Sequence, residues 1–132
     1  MKLLVVDDQG AVGAIISRIA QQGGWEAIQT TSPRGLDDII HKEKVDVLMI
    51  DYMFDEDADS NGLTVVEELR AGGINIPVIL FTGWPDLVDK ERADKLRILR
   101  VLAKPLSIVD LRVSLSDAKK QLLNESASPG KV

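Results

Sequence analysis

The sequence predicts an α/β domain, a doubly wound parallel sheet of five strands flanked by five helices, and two observations carry that prediction. Short apolar runs rich in branched residues alternate along the chain with one-sided helical segments, five of each. Three of the runs lack polar alternation through their centres, which is how strands covered on both faces read. A β-α unit repeated five times and joined by right-handed crossovers gives a parallel sheet with helices on both sides.

The first strand is KLLVVD, and the helix after it carries Val12, Ile15, Ile16, Ile19 and Ala20 on one stripe before a stop at Gly23-Gly24. WEAIQT is the second strand; its weak alternation suits a place near the sheet edge. Leu36, Ile39 and Ile40 mark the second helix. VDVLMID is the third strand, followed by a helix with Leu63, Val66 and Leu69 that stops at Gly72-Gly73. IPVILFT is the fourth strand. The segment from Pro85 to Arg97 carries only a thin stripe, Leu87, Val88, Ala93 and Leu96, in a run crowded with charges, so its helix should be the least securely packed. RVLAK is the fifth strand, and Ile108, Leu111, Leu115, Ala118 and Leu122 form the apolar face of the last helix. Periodicity alone does not separate short buried strands from buried helix; length and flanking breakers favour strand. The expected domain covers residues 1–124, with 125–132, ending in SASPGKV, as a flexible tail or the start of a linker.

Composition narrows the chemistry. The 132 residues suffice for one core without staples, and with no cysteine there is no disulfide framework, thiolate nucleophile or cysteine metal cluster. A formal charge of -5 gives no basic field for a phosphate backbone, so nucleic acid is not an expected direct partner. The opening MKLLVVDD is too short for a signal-peptide core and no apolar run is long enough to span a bilayer. A soluble, cytoplasmic protein with no membrane partner is expected. The one histidine, His41, lies in the polar stretch HKEK and reads as a solvated side chain.

In open α/β sheets, ligands bind beyond the carboxyl ends of the strands. There the first strand delivers Asp7-Asp8, the third Asp51, the fourth Thr82-Gly83 and the fifth Lys104-Pro105. A lone aspartate at such a place often caps the next helix, and a lone lysine is usually a surface residue. Three converging carboxylates are different, because like charges raise one another's pKa unless something compensates. Magnesium, which takes a few carboxylate or carbonyl oxygens plus waters and phosphate, is the natural compensation on an open rim; manganese is an alternative occupant. That implies phosphate chemistry. Asp51, fixed by a central strand, is the candidate nucleophile toward phosphorus, giving an aspartyl phosphate. Asp7 and Asp8 would share the metal, while the Thr82 hydroxyl and the Lys104 ammonium would contact the transferred oxygens.

This combination resembles the receiver domain of bacterial two-component response regulators, the CheY-like family, from Lys2 to about Asn124. The carriers are VVDDQ for the acidic pair, LMID for the phosphoacceptor, LFTG for the hydroxyl and AKP for the lysine. The resemblance implies a flavodoxin-like (CheY-like) strand order 2-1-3-4-5. It implies that Asp7, Asp8, Asp51 and the Met53 backbone carbonyl hold magnesium, and that a histidine kinase or phosphotransfer domain phosphorylates Asp51. Thr82, Gly83 and Lys104 would be the phosphoryl contacts and the switch, with a cis bond before Pro105. Such a domain is regulatory, with at most self-phosphorylation and self-dephosphorylation chemistry. Its signal would leave through the fourth helix, fifth strand and last helix, a face that in the family binds an output protein or domain, or a second copy.

Three features depart from the family pattern. Val101 stands where most receivers carry the Tyr or Phe of an aromatic switch. Met53 and Trp84 occupy the two positions that tune phosphate lifetime, and both are bulky enough to shield an acyl phosphate from water. The loop FDEDADSNG is longer than usual, and Asp57, Asp59, Asn61, Gly62 and Glu68 satisfy the spacing of a calcium-binding EF-hand loop. An EF-hand needs an entering helix, however, and VDVLMIDYMF reads as a strand and its exit, so a solvated acidic loop is the default. Two other functions compete with this one. A receiver-like module that binds without phosphate is suggested by Val101 and opposed by the intact acids, Thr82 and Lys104. An aspartate-based phosphohydrolase with Asp7 as nucleophile would need an acid at position 9, where this chain has Gln9.

Overall fold

A computed structural model describes residues 1–54 and 61–126. Five strands, β1 (Lys2–Val6), β2 (Glu26–Thr30), β3 (Val47–Asp51), β4 (Val78–Thr82) and β5 (Ile98–Ala103), form one parallel sheet in the order β2-β1-β3-β4-β5. Five α-helices connect and follow them: α1 (Gly10–Gln22), α2 (Leu36–Glu43), α3 (Gly62–Ala71), α4 (Lys90–Lys95) and α5 (Ile108–Ser126). Among the described residues no helix is long and apolar enough to cross a membrane.

Strand alternation divides the core into two layers. Leu3, Val5, Val47, Met49, Ile79, Phe81 and Leu102 pack with Ile16 and Ala20 of α1 and Leu111, Leu115 and Ala118 of α5. Leu4, Val6, Leu48, Ile50, Val78 and Leu80 face the other way, onto Leu36 and Ile40 of α2, Leu63, Val66 and Leu69 of α3, and Ala93 of α4. The continuous apolar runs of β1, β3 and β4 follow from burial on both faces. β2 lies at one edge, where its residues are half-buried or exposed, in line with its weak pattern.

Local chemistry sets the helix ends. Asn61 caps α3 by accepting from the Thr64 N–H at 3.0 Å, and Asp89 caps α4 by accepting from the Arg92 N–H at 3.1 Å. Such caps are each worth about 1 kcal/mol.

Several elements differ from expectation. Ile15 is 61% exposed, because α1 buries Gly13, Ile16, Ser17 and Ala20 instead, a stripe rotated toward its small residues. Gly13 permits that approach: a Cβ there would lie 3.1 Å from Gln29 Nε2. Ile108 is likewise exposed at the start of α5, and α5 continues past Asn124 to Ser126. β5 begins at Ile98, two residues before the RVLAK run, at an irregularity in its pairing with β4.

The Pro85–Arg97 segment is not one helix. A 3-10 turn over Pro85–Leu87 precedes α4, and Leu87 is exposed while Val88, Ala93 and Leu96 are buried. A six-residue helix buries little apolar surface, and polar ties to α3 supplement it. Arg92 donates to Thr64 Oγ1 at 3.2 Å and to Glu67 Oε2 at 3.4 Å. Arg70 donates to the carbonyls of Leu96, Ile74 and Ile76, joining the end of α4 to the α3–β4 connection. Burial and the nearby Arg97 charge lower the pKa of this guanidinium from its ordinary value.

Candidate functional site

The same alternation that sorts the core places the chemistry. Asp7 continues the series Leu3, Val5, and Asp51 the series Val47, Met49, so both point toward the α1 and α5 layer at the carboxyl end of the sheet. Asp8 follows at the turn into α1. One carboxylate oxygen from each of Asp7, Asp8 and Asp51 lies within 4.8 Å of the others. Asp7 and Asp51 are buried and Asp8 is half-buried.

Lys104, just past the end of β5, completes the group. Its Nζ donates to Asp51 Oδ2 at 2.7 Å and stands 3.8 Å from Asp7 Oδ2. The Met53 N–H donates to Asp51 Oδ1 at 3.2 Å, so each oxygen of Asp51 has a donor. The Gln9 N–H donates to Asp7 Oδ1 at 2.8 Å, whereas Asp7 Oδ2 is buried with no hydrogen-bond partner. A buried carboxylate oxygen without a donor is costly, and burial is the largest reason that the Asp7 pKa is pushed up to about 6. The Gln9 N–H and Lys104 oppose that rise, while Asp51 and Asp8 add to it.

This donor set fits a hard divalent cation. Three clustered carboxylates, one presenting an oxygen that no protein donor satisfies, offer what such an ion takes as ligands.

Thr82 ends β4 and is buried; its hydroxyl accepts from the Trp84 N–H at 3.1 Å, and its carbonyl accepts from the Lys104 N–H at 2.8 Å. The second bond ties the ends of β4 and β5 together. Gly83 is exposed, and a Cβ there would meet open space. The Lys104–Pro105 peptide bond is cis. Met53 and Trp84 stand at this end of the sheet with 46% and 60% of their surfaces exposed, and Val101 lies partly exposed on β5.

Two residues of the acidic-loop pattern have structural tasks. Asn61 is the cap of α3 and pairs with Met53 in an isolated bridge. Gly62 packs so closely under the site that a Cβ would lie 2.6 Å from the Asp51 carbonyl oxygen. Glu68 lies on α3, while Asp57 and Asp59 fall outside the described residues.

Sequence reasoning passed over Phe81, whose ring centroid lies 5.0 Å from Lys104 Nζ. The signal was available in the strand period, since Phe81 is the β4 residue opposite Asp51. It also missed the Gln9 N–H beside Asp7, a backbone contact that side-chain patterns do not encode.

Comparison with known proteins identifies the family. Residues 3–116 match the family model described as the response regulator receiver domain. The chain is 26% identical over 122 residues to sporulation initiation phosphotransferase F of Bacillus subtilis, covering 92% of this chain and 93% of that protein. It is also 26% identical over 115 residues to the TorCAD operon transcriptional regulatory protein TorR of Escherichia coli, covering 87% of this chain but only 48% of that protein. Among solved structures, a response regulator receiver domain protein from Clostridium thermocellum superposes with a TM-score of 0.78 at 25% identity, covering 92% of this chain and 98% of that one.

Proposed function

The chain belongs to the response regulator receiver domain family, and from that membership we propose that Asp51 is the residue on which it accepts a phosphoryl group. Receiver domains are regulatory modules of two-component systems, in which phosphorylation carries the signal. The observation that carries the assignment to Asp51 is the convergence of Asp7, Asp8 and Lys104 on it at the end of a central strand.

The Asp51 carboxylate attacks the phosphorus of a phosphohistidine on a histidine kinase or phosphotransfer domain. A P–O bond forms and the P–N bond breaks; the leaving imidazole nitrogen keeps the electron pair and takes a proton from water. Asp7, Asp8 and Asp51, with the Met53 carbonyl, would hold magnesium or manganese, which when bound offsets the charge of the carboxylates and of the incoming oxygens.

Lys104 is poised to pass from Asp51 Oδ2 to a transferred oxygen without crossing the site. The Thr82 hydroxyl accepts from the Trp84 N–H, which leaves its own proton to donate to another transferred oxygen. Met53 and Trp84 shield the acyl phosphate and slow its hydrolysis. Their bulk and their position at this rim support that role.

The signal leaves through α4, β5 and α5 to an output protein or domain, or to a second copy of the chain. Val101, Val109 and Val113 give this face exposed apolar surface. The domain works in the cytoplasm, as is typical of the family, with no direct nucleic-acid or membrane partner. Labelling by a small phosphodonor, dependent on magnesium and on the Asp51 carboxylate, tests it.

A further inference from the structure

The path that Lys104 takes to Asp51 has a floor. On the sheet, Asp51 of β3 pairs with Phe81 of β4, and Phe81 pairs with Leu102 of β5. Lys104 follows Leu102 by two residues, and strand alternation returns it to the face that Asp51 and Phe81 share. Neighbouring strands lie about 4.8 Å apart, so a side chain from β5 must cross the width of β4 to reach β3. The side chain beneath that crossing is Phe81.

Phe81 is 0% exposed, and Lys104 Nζ lies over its ring, 5.0 Å from the centroid, while bonded to Asp51 Oδ2 at 2.7 Å. A lysine ammonium is a strongly hydrated charge on a flexible stem. Only 25% of the Lys104 side chain is exposed, so much of its hydration is replaced by protein. The negative face of an aromatic ring is attractive to a cation in that position. An aliphatic residue would fill the same core volume without that attraction.

We propose that Phe81 is a positioning residue for the Asp51 site: its ring is the platform that holds the Lys104 ammonium on its path across β4, in reach of a phosphoryl group at Asp51. The kinetic consequence rests on the phosphoacceptor reading of Asp51; the contact between ring and ammonium does not. Phe81 acts through Lys104 and touches no transferred atom.

Site-specific replacement of Phe81 by mono-, di- and trifluorinated phenylalanine weakens the ring's negative face in steps while keeping its shape, and thermal melts check that the fold is retained. With phosphoramidate and magnesium, the labelling rate of Asp51 is expected to fall in the same steps, by roughly five-fold overall, the scale of a partly desolvated cation–ring contact. Without phosphodonor, NMR of the 13C-lysine-labelled chain is expected to show Lys104 Cε protons shifted upfield by the ring, and Phe81→Leu to abolish that shift. Rates that stay flat across the series at unchanged melting temperature overturn the proposal, as does a Lys104 resonance that Phe81→Leu leaves in place. If the wild-type chain takes no label, the phosphoacceptor reading fails, and the Lys104 resonance alone decides whether the ring holds the ammonium.

Discussion

Lys104 Nζ lies 2.7 Å from Asp51 Oδ2 and 3.8 Å from Asp7 Oδ2, so one ammonium faces two buried carboxylates. Removing that charge leaves them to repel each other out of water. Lys104→Met is expected to cost the metal-free protein on the order of 2 kcal/mol in denaturant unfolding at neutral pH. Added magnesium should narrow the loss, because carboxylates freed of the competing ammonium bind the cation more tightly, and a cation bound only by the folded state stabilises it. Equal losses with and without magnesium would contradict this.

Asp7 gives the metal-free protein an unusual pH dependence. Its carboxyl titrates near 6 when folded, against 3.8 ordinarily, chiefly because burial disfavours its charge. Between those values the folded state holds a proton that the unfolded chain has released, so stability falls as pH rises through that window. Asp7→Asn cannot ionise. It is expected to flatten the fall and leave the metal-free protein more stable at neutral pH by on the order of 1–3 kcal/mol. Denaturant melts at about pH 4 and about pH 7, in chelator, measure the difference; an unchanged pH slope in the variant would count against the assignment.

Gly62 is a spacer under Asp51. A Cβ there would approach the Asp51 carbonyl oxygen to 2.6 Å and Leu80 Cδ1 to 2.8 Å. Gly62→Ala is expected to destabilise by about 1–3 kcal/mol, the cost of overpacking. It should also slow labelling of Asp51, since the backbone beneath that residue must shift. Chemical denaturation and the labelling rate read the two effects separately.

The proposed shielding by Met53 and Trp84 is read from how long a phosphoryl group survives. If their side chains keep water from the acyl phosphate, Met53→Asn and Trp84→Glu should each speed its decay, measured as loss of label after removal of the donor. An unchanged decay rate would show that the two side chains merely cover the rim.

Much of this was legible in the sequence because the parallel sheet imposes a simple code. Continuous apolar runs reported β1, β3 and β4, and the residues ending them are the ones brought together in the candidate site, since a strand delivers its last side chain to a place fixed by its neighbours. Details set by helix rotation were less legible. Ile15 fits the apolar stripe of α1, yet Gly13 lets the helix settle on another face and leaves Ile15 in solvent. The Pro85–Arg97 segment has too few apolar residues to specify one helix; its division into a turn and a short helix depends on caps and on arginine ties to α3. In the site, the Asp7 contact with the Gln9 N–H and the close approach of Gly62 are backbone matters that side-chain patterns do not carry.

Incubation of the chain with phosphoramidate and magnesium, followed by mass measurement of the intact protein, decides whether Asp51 accepts a phosphoryl group. The wild type is expected to gain the mass of one phosphoryl group, with no gain in chelator and none on Asp51→Asn. An unlabelled wild type, or equal labelling of Asp51→Asn, would contradict it.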